Sequence, residues 1–426
     1  MERRPSIKVA NAVGRSYCSP GENADSRSFE PNGRPIILRD LCVLRGLGFL
    51  VDGESKASQT PPSIAIRSHM PSFSEDSSKI TASPTAGNIS ALRAVGLFCL
   101  FFLISFGLGY PTLNRYDPRQ TPGLTDVQTY AALVTSSPLP DKDLSDARMT
   151  HLRFRVLVPA IARPFYHCAQ GRVGSWDPAM FGLLVANSLF VAATALLILL
   201  LGQKQLATYP VSLVASLLYL VNFAVPNLRL AGLIDAGEGF FLLALLWSVA
   251  SRRLWLLPFI SIFGALSKES FIPLSIAFTA AWWLVVRKKL DSPARAATLI
   301  VISWLASFAA ILILQRSILG HWLSPLEFAA ALHHDSDYLG HFISSIWDRN
   351  FWYIFLWLLP LAIPHLNRFP KSWLLPTAAA CAMAFILDAY YGGAPGTVPR
   401  ALFSVAGPLL SLSAASFLFD SRNAPS

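Results

Sequence analysis

Between residues 91 and 419 the chain is a succession of apolar runs, and this constrains its fold more than any other feature. Ten stretches can be read as membrane spans, at 92–110, 178–201, 206–225, 231–250, 254–267, 270–286, 297–315, 351–365, 373–390 and 401–419. Each approaches the roughly 20 residues needed to cross the hydrocarbon core, with shorter ones tolerated inside a bundle. Backbone amides in lipid must be satisfied within their own segment, so runs of this kind fold as helices. The expectation is an all-α polytopic membrane protein of about ten transmembrane helices. Composition agrees, since 53% of the 426 residues are hydrophobic and only 14% are charged.

The formal charge of +10 would point to nucleic acid in a soluble chain. Here the basic residues fall largely between apolar segments, where they orient a membrane protein, so no nucleic-acid partner is expected. Cys18, Cys42, Cys99, Cys168 and Cys381 are scattered without CxxC spacing, which implies neither a disulfide framework nor a zinc finger.

Residues 1–88 differ in kind. They are polar, rich in Ser, Pro, Arg and Gly, and lack sustained periodicity, so they are expected to be a disordered tail. Acidic residues such as Glu22, Asp25 and Glu30 argue against a transit peptide, and no signal-peptide apolar core is present. Met70 is an alternative start that would leave a short polar lead before the first span. The membrane domain then covers 89–420, and 421–426 form a short tail on the cytoplasmic side.

Lys204, Arg252, Arg253, Arg287, Lys288, Lys289, Arg295, Arg368 and Lys371 all fall in short connections on one side of the ten-span arrangement. Calling that side cytoplasmic places the N-terminus inside and Arg93 at the inner end of the first span. The long connections at 111–177 and 316–350 are then outside, as are the turns around Arg229, Lys268 and Arg400. Long loops in a compact membrane protein are commonly functional.

Within this frame the stretch LRLAGLIDAGEGFFLLALLW at 228–247 carries two carboxylates, Asp235 and Glu238, near its outer end. An ionised Asp near the centre of a membrane helix costs at least about 2.5 kcal/mol, so such a group faces a partner, a cavity or a substrate. Three residues apart, they share a helix face, and Gly232, Ala236, Gly237 and Gly239 leave room for a neighbour or ligand. The next outer turn, GALSKESFIP, places Ser267, Lys268 and Glu269 at the tip of two short arms, at a depth similar to Asp235. Two uses are open to Asp235 and Glu238, as working groups or as buried partners of Lys268, and both are common.

The first outer loop adds GLTDVQTYAALV at 123–134. Thr125 and Gln128 form a capping box with Asp126 in the first turn, and Val127, Tyr130, Ala131 and Val134 make one apolar stripe. A short interfacial helix is expected, and complementing its dipole is the alternative use of Asp126. In HLRFRVLVPAIARP at 151–164, Arg153 and Arg155 are close enough to grip a phosphate, although snorkelling to headgroups is the commoner use of such arginines. Arg400 has the same headgroup alternative, with Asp388 as a local partner. In the second outer loop, His333, His334, Asp335, Asp337 and His341 cluster in LHHDSDYLGH. A divalent metal could lie there, but a cluster after a capped helix is more often solvated, and no cofactor or metal ligand is assigned.

On LTDVQTYAALV, LRFRVLVPAIARP, LIDAGEGFF, ALSKESFIP and GTVPRALFSVAGP, the region 89–420 resembles the GT-C superfamily of polytopic glycosyltransferases, which take sugars from polyprenyl-phosphate carriers. The resemblance implies a helical bundle with a periplasmic or lumenal site in a bacterial inner or comparable membrane. It makes Asp126 the first-loop catalytic carboxylate, with Asp117 in NRYDPRQ as runner-up; beside it, convergence on the outer side makes Asp235 a second catalytic candidate. The resemblance makes Arg153, Arg155 and Arg400 candidates for phosphate binding, and the gathering of charges on the outer side adds Glu238, Lys268 and Glu269 as substrate-binding candidates. The implied partners are a polyprenyl-phosphate sugar and membrane lipid. No counterpart of the family's usual soluble C-terminal domain follows the last span in this sequence, which leaves the acceptor open.

The same residue types suit the chemistry without the resemblance, because glycosyl transfer from a lipid phosphate needs a base for the acceptor and cations for the departing phosphate. The alternative is a transporter or flippase of a polyprenyl-linked or other anionic substrate. Such proteins tend to place polar groups near the midplane between internal repeats, whereas here the charges gather towards the outer end.

Overall fold

The structure, a computed structural model, describes residues 90–115, 125–137, 151–206, 208–230, 232–322, 337–391 and 396–420. The polar tail at 1–88, Asp117, the cluster residues His333, His334 and Asp335, and the segment 421–426 lie outside the described residues.

Helix α1 is Ala91–Gly109, followed by the single turn α2, Thr112–Arg115. The outer-loop helices are α3, Thr125–Thr135, and α4, Leu157–Ala169, with a 3-10 turn at His151–Phe154 before α4. Next come α5, Pro178–Leu206, and α6, Tyr209–Val221, then a π-helical turn at Val225–Arg229 and α7, Asp235–Ala250. A tight pair follows, α8 at Leu257–Ser267 and α9 at Phe271–Val286, and then α10 at Pro293–Leu319. The remaining helices are α11 Tyr338–Trp347, α12 Arg349–Phe355, α13 Leu358–Ala362, α14 Lys371–Tyr391 and α15 Thr397–Asp420.

The described residues form an all-helical bundle, and the chain is an integral membrane protein. All ten stretches read as spans are helical, but only α1, α5, α9 with its terminal turn, α10, α14 and α15 are long and apolar enough to cross a membrane. The other four fall short for physical reasons. α6 ends at Val221, short of the separate π turn, and α7 begins only at Asp235. Meanwhile α8 has 11 residues after a 3-10 turn, and 349–368 breaks into α12, α13 and a further 3-10 turn.

Position in the bundle follows from which faces are apolar. α5 is apolar all round and lies at the centre, packed by α1, α4, α6 and α7, as a helix without a polar face must be. It starts at Asp177, whose Oδ1 accepts from the amides of Ala179 at 2.8 Å and Met180 at 3.1 Å. α15 is the second central helix, bordered by α6, α7, α13 and α14. α1 and α10 expose most of their apolar surface, as peripheral helices do in lipid.

Lipid removes the hydrophobic drive for helices to associate, so packing relies on small residues and on hydrogen bonds between helices. Ser216 Oγ of α6 donates to Ala195 O of α5 at 2.8 Å, and Ser413 Oγ of α15 to Ala362 O of α13 at 2.6 Å. Trp304 Nε1 of α10 donates to Thr279 Oγ1 of α9 at 2.9 Å.

The bundle has two distinct ends, because Asp235 and Ala250 terminate the same helix. Near Ala250, the Lys204 ammonium donates to Ala250 O, Gln205 Nε2 reaches Arg368 O at 3.2 Å, and the Arg93 guanidinium lies 4.1 Å from the Tyr209 ring centre. Arg252, Lys289 and Arg295 line one cleft at this end. The basic short connections therefore gather together. Near Asp235 a different set of charges converges.

Candidate functional site

The site is assembled by the start of α7, the α8–α9 turn, the segment before α4, helix α3 and the first turn of α15. Asn187 of α5 fixes the approach to α7 by donating from Nδ2 to Leu233 O at 2.5 Å. Gly237 then allows close contact: a Cβ there would lie 2.6 Å from Ser267 Oγ and 3.0 Å from Val158 Cγ2. The room left by this glycine is thus filled by α8 and α4, bringing Lys268 and Arg155 to the carboxylates of α7.

Lys268 leaves α8 in an extended conformation, φ −163° and ψ 134°, which turns its side chain back across α7. Its Nζ donates to Asp235 Oδ1 at 2.6 Å and to Glu238 Oε2 at 3.3 Å. Ser270 Oγ donates to Glu238 Oε1 at 2.5 Å. From the first turn of α15, Arg400 Nη1 donates to Asp235 Oδ2 at 3.1 Å, while its Nε holds Gly396 O at 3.1 Å. Both Asp235 oxygens are therefore taken by cations.

Arg155 forms the second half of the cluster. Its Nε donates to Glu269 Oε2 at 2.7 Å, its Nη2 pairs with Glu269 Oε1, and its Nη1 donates to Tyr130 Oη at 2.7 Å. This two-point fork is the strong form of an Arg–carboxylate contact. The consecutive residues Lys268, Glu269 and Ser270 join the halves into one network of three carboxylates and three cations, with Asp235, Glu238 and Lys268 buried and the others partly buried.

Asp126 lies one turn before Tyr130 on α3 and is half-buried. Burial pushes the Tyr130 hydroxyl above the ordinary tyrosine value; the Arg155 charge opposes this rise and the Asp126 charge adds to it. Tyr130 is therefore a neutral hydroxyl. The predicted stripe of Val127, Tyr130 and Val134 is buried against protein, because α4 and α5 cover it. Arg163 of α4 strengthens that contact by donating to Leu133 O, at 3.2 Å from Nε and 3.0 Å from Nη2.

Several alternatives left open by the sequence are resolved here. Lys268 does pair with Asp235 and Glu238. Glu269, at the tip of the same turn, pairs with Arg155. Arg400 turns to Asp235, while Asp388 accepts from Ser345 Oγ at 2.5 Å. Arg153 does not snorkel: it is 6% exposed between buried Leu152 and Phe154, and its Nη2 has no hydrogen-bond partner. Asp337 caps α11 by accepting from the Gly340 amide at 2.9 Å. Among the described residues no three His, Cys, Asp or Glu side chains come together to hold a metal.

The sequence reading missed three contributors. Tyr130 was visible only as part of an apolar stripe, although a buried Tyr hydroxyl needs a partner. Ser270 adjoins Glu269 in the same turn. Arg229 was taken as a mark of an outer turn, yet it is 1% exposed. Its Nη1 donates to Tyr219 Oη at 2.7 Å and its Nη2 to Ser404 Oγ at 2.5 Å, and its guanidinium carbon lies 5.1 Å from the Phe403 ring centre. No carboxylate among the described residues pairs with Arg229, and its Nε has no hydrogen-bond partner. Ser404 Oγ in turn donates to Arg400 O at 2.9 Å, which ties Arg229 to the site.

Among the described residues, Arg153 and Arg229 are thus buried cations in excess of the balanced cluster. A cation buried without a counter-charge is costly, and an anion brought close offsets that cost. Comparison with protein-family models, with curated proteins and with solved structures finds no match to this chain.

Proposed function

We propose that this protein is a membrane glycosyltransferase that moves a sugar from a polyprenyl-phosphate carrier to an acceptor at the outer, periplasmic or lumenal, face. The observation that carries the proposal is the convergence of Arg155, Asp235, Glu238, Lys268, Glu269 and Arg400 from separate chain segments into one largely buried network, with Arg153, which has no charged partner among the described residues, in the segment that supplies Arg155. Such a site near one end of the bundle lets a polyprenyl tail stay in lipid while its phosphate reaches buried guanidinium groups.

In the proposed reaction Asp126 accepts the proton of the acceptor hydroxyl as the new bond to the sugar C1 forms. The C1–O bond to phosphate breaks, and the polyprenyl phosphate leaves with the electron pair. Arg153 holds the leaving phosphate. Asp235, Glu238 and Glu269 keep Lys268, Arg400 and Arg155 fixed, so the field at the site is set before substrate arrives. With both oxygens engaged, Asp235 serves in this scheme to position cations, and proton transfer falls to Asp126. The ten-span topology with the basic end in the cytoplasm, in a bacterial inner membrane, completes the proposal.

The test uses purified full-length protein in nanodiscs with synthetic polyprenyl-phosphate hexoses and pentoses plus a membrane extract as acceptor source. Release of polyprenyl phosphate that is lost in Asp126→Asn supports the proposal. Movement of an intact polyprenyl-linked substrate across proteoliposomes without cleavage would instead establish the transporter alternative.

A further inference from the structure

At the opposite end of the bundle from the polar network, a cleft opens between the end of α7, the α7–α8 connection, α9 and the first turns of α10. Arg252, Lys289 and Arg295 line it, with Asp291 as the single carboxylate, exposed Trp255 on its wall and buried Trp282 behind. Three neighbouring cations outside the cleft are already engaged. Arg253 lies 5.2 Å from the Trp247 ring centre, Arg287 lies 5.3 Å from that of Trp283, and Lys204 donates to Ala250 O. Arg252, Lys289 and Arg295, by contrast, hold no side-chain hydrogen bond or ion pair among the described residues.

The backbone adds an independent sign. Arg252 has φ +55°, a left-handed conformation that strains a residue with a side chain. The Arg252 and Arg253 amides bond back to Val249 O at 3.3 Å and Ser248 O at 2.9 Å, so the strained turn is held in place. A tight strained turn thus places an unpaired guanidinium at the mouth of a concave surface.

From this geometry we infer that the cleft is a binding site for the phosphate headgroup of an anionic phospholipid. Three cations to one carboxylate favour an anion. Trp255 is 60% exposed beside apolar Leu254 and Leu299, which suits a ligand with acyl chains attached. Tryptophan also settles at the headgroup level of a bilayer, where basic pockets between membrane helices take such lipids. The inference is independent of glycosyl transfer and of which leaflet the basic end faces.

The experiment follows melting of the full-length protein in neutral detergent as phosphatidylglycerol, phosphatidylcholine or inorganic phosphate is added, with adducts counted by native mass spectrometry. Phosphatidylglycerol should raise the melting temperature and remain bound, and phosphatidylcholine should do neither. The Lys289→Gln/Arg295→Gln variant should bind phosphatidylglycerol roughly tenfold or more weakly. Arg287→Gln, which removes an engaged neighbour, should bind normally. Equal stabilisation by phosphatidylcholine would overturn the proposal, as would full retention of phosphatidylglycerol by the double variant. The same shift from inorganic phosphate would assign the cleft to a soluble ligand. If the double variant melts early without lipid, Lys289→Arg/Arg295→Lys preserves the charges and must bind like the unaltered protein; the lipid comparison on the latter depends on no variant.

Discussion

Asp235 and Glu238 stood out because carboxylates in an apolar helix need compensation, and the structure supplies it from Lys268, Ser270 and Arg400. Removing one partner should cost more than the pair contributes, because the survivor is left as an unpaired buried charge. Lys268→Met is therefore expected to lower stability by about 3–5 kcal/mol, and adding Glu238→Gln should restore part of it. Detergent-solubilised melting of the single and double variants measures this, and an additive loss would show that the pair is not coupled. Asp126→Asn should behave oppositely. It lies on the edge of the network, so melting should stay unchanged while transfer falls roughly a hundredfold or more; normal transfer would remove Asp126 from the base role. These charged residues were legible because a charge in an apolar chain is costly wherever it is placed. Their pairing was not, since Lys268 could answer either acid and Arg400 had Asp388 closer in sequence. Arg229 was missed for a related reason: its partners Tyr219 and Ser404 carry no charge and come from two other helices.

Helix identity was easier to read than helix surroundings. The stripe on α3 was visible as an amphipathic helix, but an amphipathic face fits lipid and protein equally, and only tertiary packing shows that α4 and α5 cover it. The segment just before α4 carries the arginine pair, so the seating of α4 on α5 controls the site. Gly182 of α5 sets that seating: a Cβ there would lie 2.7 Å from Ala162 O and 3.1 Å from the Tyr166 amide nitrogen, backbone atoms of α4 that cannot rotate away. Gly182→Ala should push α4 outward, destabilise the protein by about 1–3 kcal/mol and reduce transfer. Gly96→Ala on α1, where a Cβ meets nothing within 4 Å, is the control and should leave melting unchanged. An unchanged melting temperature for Gly182→Ala would mean that α4 and α5 are not seated against each other at this point.

The gathering of basic short connections at one end was legible because Lys and Arg in short loops follow a simple rule, whereas the span count was not. Apolar content alone made spans of 206–225, 231–250, 254–267 and 351–365, but hydrogen-bond geometry shortens or breaks these helices, and six meet the length of a crossing. Short helices can still traverse the bundle behind longer neighbours, so orientation is decided by where the ends lie. Lys204, Arg253 and Lys289 sit at the basic end, while Arg172, in the turn before α5, and His321, just after α10, are exposed at the other ends of those helices. In a background with the five native cysteines changed to Ser, single cysteines at 172 and 321 should react with an impermeant thiol reagent added to intact cells. Cysteines at 204, 253 and 289 should react only after permeabilisation. Uniform reversal would preserve the bundle but turn the polar network towards the cytoplasm, removing the outer-face assignment of the proposed transfer. Mixed labelling within either group would be more severe, since Lys204 reaches Ala250 O and Arg252 shares a cleft with Lys289, contacts that require those connections to lie on one side.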